Sequence, residues 1–458
     1  MKNFPVSTFG LVLLYCVCAI QPGYAQNPER EKTSGDYADI LKRQEEIEKE
    51  NRRLKEELHV LNGRLEKLES GKDRKENEEK RSLPPRRPVR SENSAQPEET
   101  RVGFKPGGKG FFFQGRDYSL HFLGYVQGVG SLFDGSLHRA DGNGDFSVRR
   151  ARFDFIAKLY RDYTLFFEFD AGPGTVASTD SDFAMVEGGM RIRILDDSLQ
   201  LAAGKFITPF SSENFRSSRG LNTIERYMAL NTMFLLPALD SQFGVMLFGK
   251  SEGDKRLGYY LGVFNGNGQA NANPSDNNNK KEIQAKLLYQ ENENIELTLG
   301  LDYSNEESQV LSLVDLGFSR YVSVNIRGER LGFTGSGFFK SGRWSLHAEG
   351  IGFRFDKPDP GTAGLYGGYV QPAYFLLGDG NRGLQFLLRG EVSYLDADTG
   401  SNGDTLWAVT PGINWFLNPN VRLQVNGTFH YFDGPSSLRG FDGSKWVPMM
   451  QAELQFKY

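Results

Sequence analysis

Residues Val421–Tyr431 alternate without a break. Val421, Leu423, Val425, Gly427, Phe429 and Tyr431 fall on one side of an extended chain, and Arg422, Gln424, Asn426, Thr428 and His430 on the other. In Val447–Tyr458, Pro448, Met450, Ala452, Leu454, Phe456 and Tyr458 oppose Gln451, Glu453, Gln455 and Lys457. A period of two with one apolar and one polar face marks strands that separate an apolar medium from a wet one. Such segments recur from residue 101 to the end, about sixteen strands in all, and no later run of ~18 apolar residues offers a transmembrane helix. The high Gly (53), Phe (35) and Tyr (19) content suits strands.

The connections alternate in length. Short turns are expected at Arg161-Asp162, Asp196–Ser198, Glu252–Lys255, Gly342-Arg343, Gly378–Gly383 and Asn418–Asn420. Longer loops rich in Gly, Asn and Asp fall between them at Asp134–Asp145, Gly172–Asp182, Thr208–Ser241, Gly266–Asn279, Phe355–Gly364, Asp396–Asp404 and Phe432–Lys445. Short turns at one end, long loops at the other and an even strand number describe an all-β, antiparallel transmembrane β-barrel of the bacterial outer membrane. Aromatic strand ends such as Phe111–Phe113 and Trp415-Phe416 suit interfacial girdles in outer-membrane lipid. A soluble exported all-β protein is a competing class, which extraction from envelopes by salt alone would reveal.

The first hundred residues differ. Lys2, the apolar Phe9–Ile20 and Gly23-Tyr24-Ala25 read as a signal peptide over 1–25. The two cysteines, Cys16 and Cys18, lie inside it, so the exported chain carries no disulfide framework. Ile40, Ile47, Leu54, Leu61 and Leu68 recur every seventh residue, with Tyr37, Gln44, Asn51, Leu58 and Leu65 three before each. This heptad seam predicts a periplasmic coiled coil over 36–68, and an oligomer, because a lone helix would leave the leucines wet. Residues 69–100 are charged and lack apolar periodicity, as a disordered linker would. The barrel is expected over 101–458.

Residues 1–100 balance 19 basic against 19 acidic residues, so the whole net charge of −4 belongs to 101–458. No nucleic-acid partner is expected of such a chain. Charge placement is more informative than the sum. In Phe146–Leu159, Phe153, Phe155, Ala157 and Leu159 share one face, and Val148, Arg150, Arg152, Asp154, Ile156 and Lys158 the other. Arg or Lys facing hydrocarbon costs about 2–4 kcal/mol at the bilayer midplane, so the charged face must be the lumen. Arg149 then falls on the lipid side by count, near head groups. In Ala184–Leu195, Val186, Met190, Ile192 and Ile194 oppose Glu187, Arg191 and Arg193. Lys205 alternates with Leu199, Leu201 and Ala203, which aims it at lipid unless a bulge intervenes.

Thr208–Ser241, the longest irregular segment, carries Arg216, Arg219 and Arg226. A loop of this length in a compact architecture usually has a function, here expected to be narrowing the pore from inside. Guanidinium groups stay charged at any relevant pH and match phosphate or carboxylate oxygens in bidentate geometry. The channel-lining, anion-binding candidates are therefore Arg150, Arg152, Lys158, Arg191, Arg193, Arg216, Arg219 and Arg226. The competing reading is that these are wall residues paired with Asp154, Glu168, Asp170 and Glu187.

Other motifs lead nowhere. "GDGNRG" (Gly378–Gly383) matches a nucleotide-loop spacing but lies in an expected turn and opens no helix. "DGNGD" (Asp141–Asp145) lacks the downstream Glu of a calcium loop. The five histidines are scattered, and no catalytic constellation, metal site or cofactor is expected.

Four segments carry a resemblance: "FSVRRARFDFIAKLYRDYTLFFEFD", "GKFITPFSSENFRSS", "TIERYMALN" and "YYLGVFNGNG". With a signal peptide and a short coiled coil before a barrel, the chain resembles the phosphate-selective porin O and P family over essentially all of 101–458. The resemblance implies a sixteen-stranded homotrimeric barrel whose narrowing, lined by basic residues, passes small anions such as phosphate. One place departs from the family: in "LPALDSQFG", Leu239 precedes Asp240 where members often carry an Arg-Asp pair. The expected function is a porin for small hydrophilic solutes, anions first. The alternatives are a non-selective porin, or a structural anchor that reaches cell-wall polymer through the coiled coil.

Overall fold

The computed structural model describes residues 100–132, 145–172, 184–233, 241–266, 279–312, 323–396, 403–433 and 444–458. The signal peptide, the coiled coil, residues 69–99 of the linker and the Leu239-Asp240 pair lie outside the described residues.

The alternating segments become β3 (Tyr118–Leu132), β4 (Asp145–Leu159), β5 (Tyr163–Asp170), β6 (Ala184–Leu195), β7 (Leu199–Ile207), β8 (Ser241–Lys250), β9 (Leu257–Phe264), β10 (Glu282–Asn292), β11 (Ile295–Ser312), β12 (Ser323–Ser341), β13 (Trp344–Asp356), β14 (Thr362–Gly378), β15 (Gly383–Asp396), β16 (Asp404–Asn418), β17 (Val421–Phe432) and β18 (Trp446–Lys457). Each pairs antiparallel with the next, and β18 returns to β3 with Phe456 opposite Val126 and Met450 opposite Leu132. Among the described residues these sixteen strands close an antiparallel barrel, which leaves no unpaired edge in hydrocarbon.

Two further short strands, β1 (Arg101–Lys105) and β2 (Gly110–Gln114), form a hairpin. β18 meets β3 no lower than Tyr125, and β2 takes over the edge of β3 from Phe122 to Ser119. The hairpin thus fills the notch that strand stagger leaves below the C-terminus. Its return needs glycine: Gly110 has φ +67°, and a Cβ there would lie 1.9 Å from the Phe122 carbonyl oxygen.

The expected turns join β4–β5, β6–β7, β8–β9, β12–β13, β14–β15 and β16–β17. A further turn at Glu293-Asn294 joins β10 to β11. The sequence reading missed it. It also missed the β11–β12 connection, residues 313–322, which lies outside the described residues.

The outer face exposes Leu261, Leu287, Leu297, Leu299, Leu301, Leu331, Phe333, Trp407, Leu454 and Phe456. The inner face buries Gln127, Gln284, Asn414, Gln424, Asn426 and Gln455. This inverts a soluble protein and fits a wall between lipid and a polar interior.

Among several register shifts, two, in β4 and β6, redirect residues that the parity count had placed. In β4, Gln127 pairs with Arg150 and Gly128 with Val148, so Arg149 is the extra residue. Val148 therefore turns outward, contrary to the parity count that grouped it with Arg150, and it is exposed. In β6, Glu168 pairs with Glu187 and Phe169 with Met185, so Val186 is extra and buried rather than lipid-facing. Lys205 keeps its outer register opposite Gly188 and Phe243, but its ammonium is buried and donates to the Met185 carbonyl (3.0 Å).

Candidate functional site

Thr208–Met233, the described part of the longest loop, packs along the inner wall. It contains α1 (Ser212–Phe215), a 3-10 turn at Ser218–Gly220 and α2 (Met228–Met233). Its apolar residues Phe210, Tyr227, Met228, Ala229 and Leu230 share a buried cluster with Ile351, Phe353, Leu365, Tyr369, Leu406 and Phe432 of the wall. Gly367 makes room for this seat, since a Cβ there would meet the Ala229 Cβ at 2.4 Å.

Polar bonds fix the rest. The N–H groups of Ser212 and Glu213, at the start of α1, both donate to Glu349 of β13 (2.9 Å each). Ile224 N–H donates to Asn426 (2.7 Å) and Met228 N–H to Glu391 (2.8 Å). Arg422 and Asn414 donate to the carbonyls of Leu221 and Asn222. From β3, Tyr125 shares a hydroxyl bond with Ser218 (2.5 Å). The orphan backbone groups of an irregular segment are thus satisfied by side chains of the lumen wall.

The β4 bulge decides what the three arginines of "RRAR" do. Arg149, expected at the head groups, instead points inward and forms a two-pronged ion pair with Glu225 of the loop. The extra residue at the bulge re-aims its side chain. Arg150 is buried and donates to Gln127 (2.9 Å), which in turn donates to Glu453. Arg152 binds Glu168 and Asp170.

Of the remaining candidates, Arg219 faces Asp154 at 3.7 Å and donates to the Gly108 carbonyl. Arg216 lies 3.8 Å from Glu296 and 2.5 Å from His347 Nδ1. Arg193 sits at the turn end beside Asp197 (3.7 Å). Arg226 borders a small cavity between loop and wall, together with Glu225, Arg389, Glu391 and Gln451. Lys158 and Arg191 occupy one inner row, joined through Thr164 of β5. Both are exposed, and among the described residues neither has a carboxylate within ion-pair distance. Arg191 lies over the Phe166 ring, 4.6 Å from its centre.

Three buried arginines were not among the candidate lining residues. Arg389 donates to Glu213 (2.6 Å), Gln371 (2.8 Å) and the Glu225 carbonyl (3.1 Å). Arg330 pairs with Asp302 (2.9 Å) and Glu282 (3.2 Å). Arg422 binds Gln455 besides the loop. Period-two parity places Arg422 on the polar face. The same count applied to β12 and β15 would have found the other two.

A family model described as phosphate-selective porin O and P matches residues 131–429. No curated protein matches. Among solved structures, the in-vitro folded OmpT of Vibrio cholerae in its trimer form is 11% identical, with a TM-score of 0.52 over 75% of this chain and 100% of that one. An anion-selective porin from Comamonas acidovorans is also 11% identical, with a TM-score of 0.51 over 75% and 100%. The outer membrane channel DcaP of Acinetobacter baumannii is 12% identical, with a TM-score of 0.52 over 75% and 98%. At these identities the likeness is one of fold. The family match runs from the end of β3 into β17, across a closed barrel with an apolar exterior and a polar lumen. The chain therefore belongs to the phosphate-selective porin O and P family, as an outer-membrane β-barrel channel.

Proposed function

We propose that the protein is a homotrimeric porin that passes small anions such as phosphate through a lumen narrowed by Thr208–Met233. The observation that carries this reading is the division of labour among the cations. Arg149, Arg152, Arg216, Arg219 and Arg389 are tied to carboxylates, so their charge is largely spent on holding the wall and the loop. Lys158 and Arg191 are two strands apart on one inner row, about 10 Å at the backbone. They remain open to the passage, where successive weak sites favour conduction over capture. Arg193 beside Asp197, the buried Arg150 bonded to Gln127, and Arg226 at the loop–wall cavity complete the basic lining. The family and the anion-selective Comamonas porin support the sign of selectivity.

Reversal potentials across a planar bilayer under a KCl gradient test this. Anion preference is expected, and Lys158→Gln with Arg191→Gln should shift the reversal potential toward zero. Cation preference in the unaltered channel would overturn the proposal.

The trimer form of OmpT and the heptad seam over 36–68 support three-fold assembly. Deleting 36–68 should lower the oligomer's melting temperature in mild detergent, and an unchanged oligomer would assign the coiled coil elsewhere. Contact between the N-terminal region and cell-wall polymer is the second reading. It would show as envelope detachment on the same deletion with no change in solute uptake.

A further inference from the structure

The short-turn half of the lumen holds a feature that passage of simple ions does not require. Phe248 of β8 and Tyr260 of β9 sit opposite each other in register on the inner wall. Their rings are stacked, with 4° between planes and 6.0 Å between centres. Phe215, the last residue of α1, meets Tyr260 edge-on at 5.5 Å, and the residue is 37% exposed. Lys286, itself buried, is the register partner of Tyr260 on β10, and its ammonium lies 5.1 Å from the centre of the Phe215 ring. Phe248 and Tyr260 also pack against the buried cluster that contains Phe166, and the Arg191 guanidinium covers the Phe166 ring at 4.6 Å from its centre. Glu296, which already faces Arg216 at 3.8 Å, and Glu349, which accepts from the Ser212 and Glu213 amides, are neighbouring acids.

Exposed aromatic area inside a hydrated pore is costly unless something apolar covers it part of the time. Cations set beside ring faces fit a solute with a planar apolar body and one negative end. The body can stack or meet a ring edge-on, and the carboxylate can take the fork of the guanidinium. Inorganic phosphate would use the cations and leave the Phe215 ring wet.

We infer that Phe215, Phe248 and Tyr260, with Arg191 and Lys286, form a station for aromatic monocarboxylates on the wall of the passage. This rests on the porin reading above and adds the class of organic solute. Both substituents of such a solute are met at once: the ring lies against the Phe215–Tyr260 pair, and the charge points to Arg191. The site is weak by design, since each contact is worth little and a solute must leave as readily as it enters.

The test uses the full-length channel in planar bilayers, with benzoate, acetate or cyclohexanecarboxylate added to a chloride current. Cyclohexanecarboxylate matches benzoate in size and charge but has no π face. Benzoate is expected to half-block at a concentration roughly five-fold below that of either other acid. Phe215→Leu and Tyr260→Leu should each bring benzoate close to cyclohexanecarboxylate. Equal half-blocking concentrations for the three acids in the unaltered channel would overturn the station, and so would a benzoate advantage that survives both substitutions. If a substituted chain forms no channels, the three-acid comparison decides alone. The reversal potential in KCl is read in the same experiment. Anion preference with no benzoate advantage removes the station and keeps the porin reading. A benzoate advantage in a cation-preferring channel keeps the station and removes the anion reading.

Discussion

Arg389 shows how a lumen arginine can be structural. It is buried, lies 4.5 Å from the centre of the Tyr369 ring and bonds a loop carboxylate, a wall amide and a loop carbonyl. Replacing it by Met strands the buried Glu213 carboxylate, a cost of about 3–5 kcal/mol for one broken partner of a buried pair. The melting temperature of the barrel in detergent should fall, and adding Glu213→Leu should restore most of the loss. Recovery below a fifth of the loss in that double-mutant cycle would mean that the pair is not the seat of the effect. Exposed ion pairs behave differently. Asp197 lies in the β6–β7 turn and accepts from Lys255 (2.7 Å), which holds its carboxyl below the usual aspartate range. A depressed acid contributes stability above its unfolded pKa and loses it only as pH falls through the depressed value. The turn should therefore keep this pair down to pH values below ordinary carboxylate titration. Lys255→Met should return the carboxyl to the usual range in an NMR titration.

At the scale of elements, the loop and its seat are one unit. Apolar residues of α2 lie against wall glycine, and the amides of α1 lie on a wall carboxylate. Gly367→Ala would push a methyl into Ala229 and within 2.6 Å of the Val392 carbonyl oxygen. Backbone cannot yield as a side chain can, so the expected cost is about 1–3 kcal/mol, together with noisier single-channel current as the loop loosens. An unchanged melting temperature would show that the seat has slack. The β4 bulge is the other decisive element. It turns one residue of a strand around, and the result is the Arg149–Glu225 tie between wall and loop.

For the whole molecule, the barrel is an inverted protein whose exterior is defined by lipid. Leu299 on the outer face of β11 is 66% exposed in the isolated chain. Leu299→Arg should destabilise the barrel by about 2–4 kcal/mol if that residue sits near the bilayer midplane. Folding titrations in lipid vesicles would read this, and a neutral substitution would place Leu299 outside the hydrocarbon band. The outward β17 and β18 positions were legible from parity alone, as were the short turns at Arg161-Asp162 and Asn418–Asn420. Val148 and Val186 were not, because a bulge adds a residue without changing composition or local propensity.

The sequence by itself determined that strands would alternate between an apolar and a wet side, where most turns would fall, and that Thr208–Ser241 was too long to be a mere connection. Those conclusions follow from period and spacing, which are local. The tertiary structure decided which arginines are spent on carboxylates and which stay open, how Arg149 reaches Glu225, and how Phe215 comes to lie beside Tyr260 and Lys286. These depend on partners tens to hundreds of residues apart. Side-chain parity says which way a residue points, and only closure of the barrel around its own loop says what it meets there.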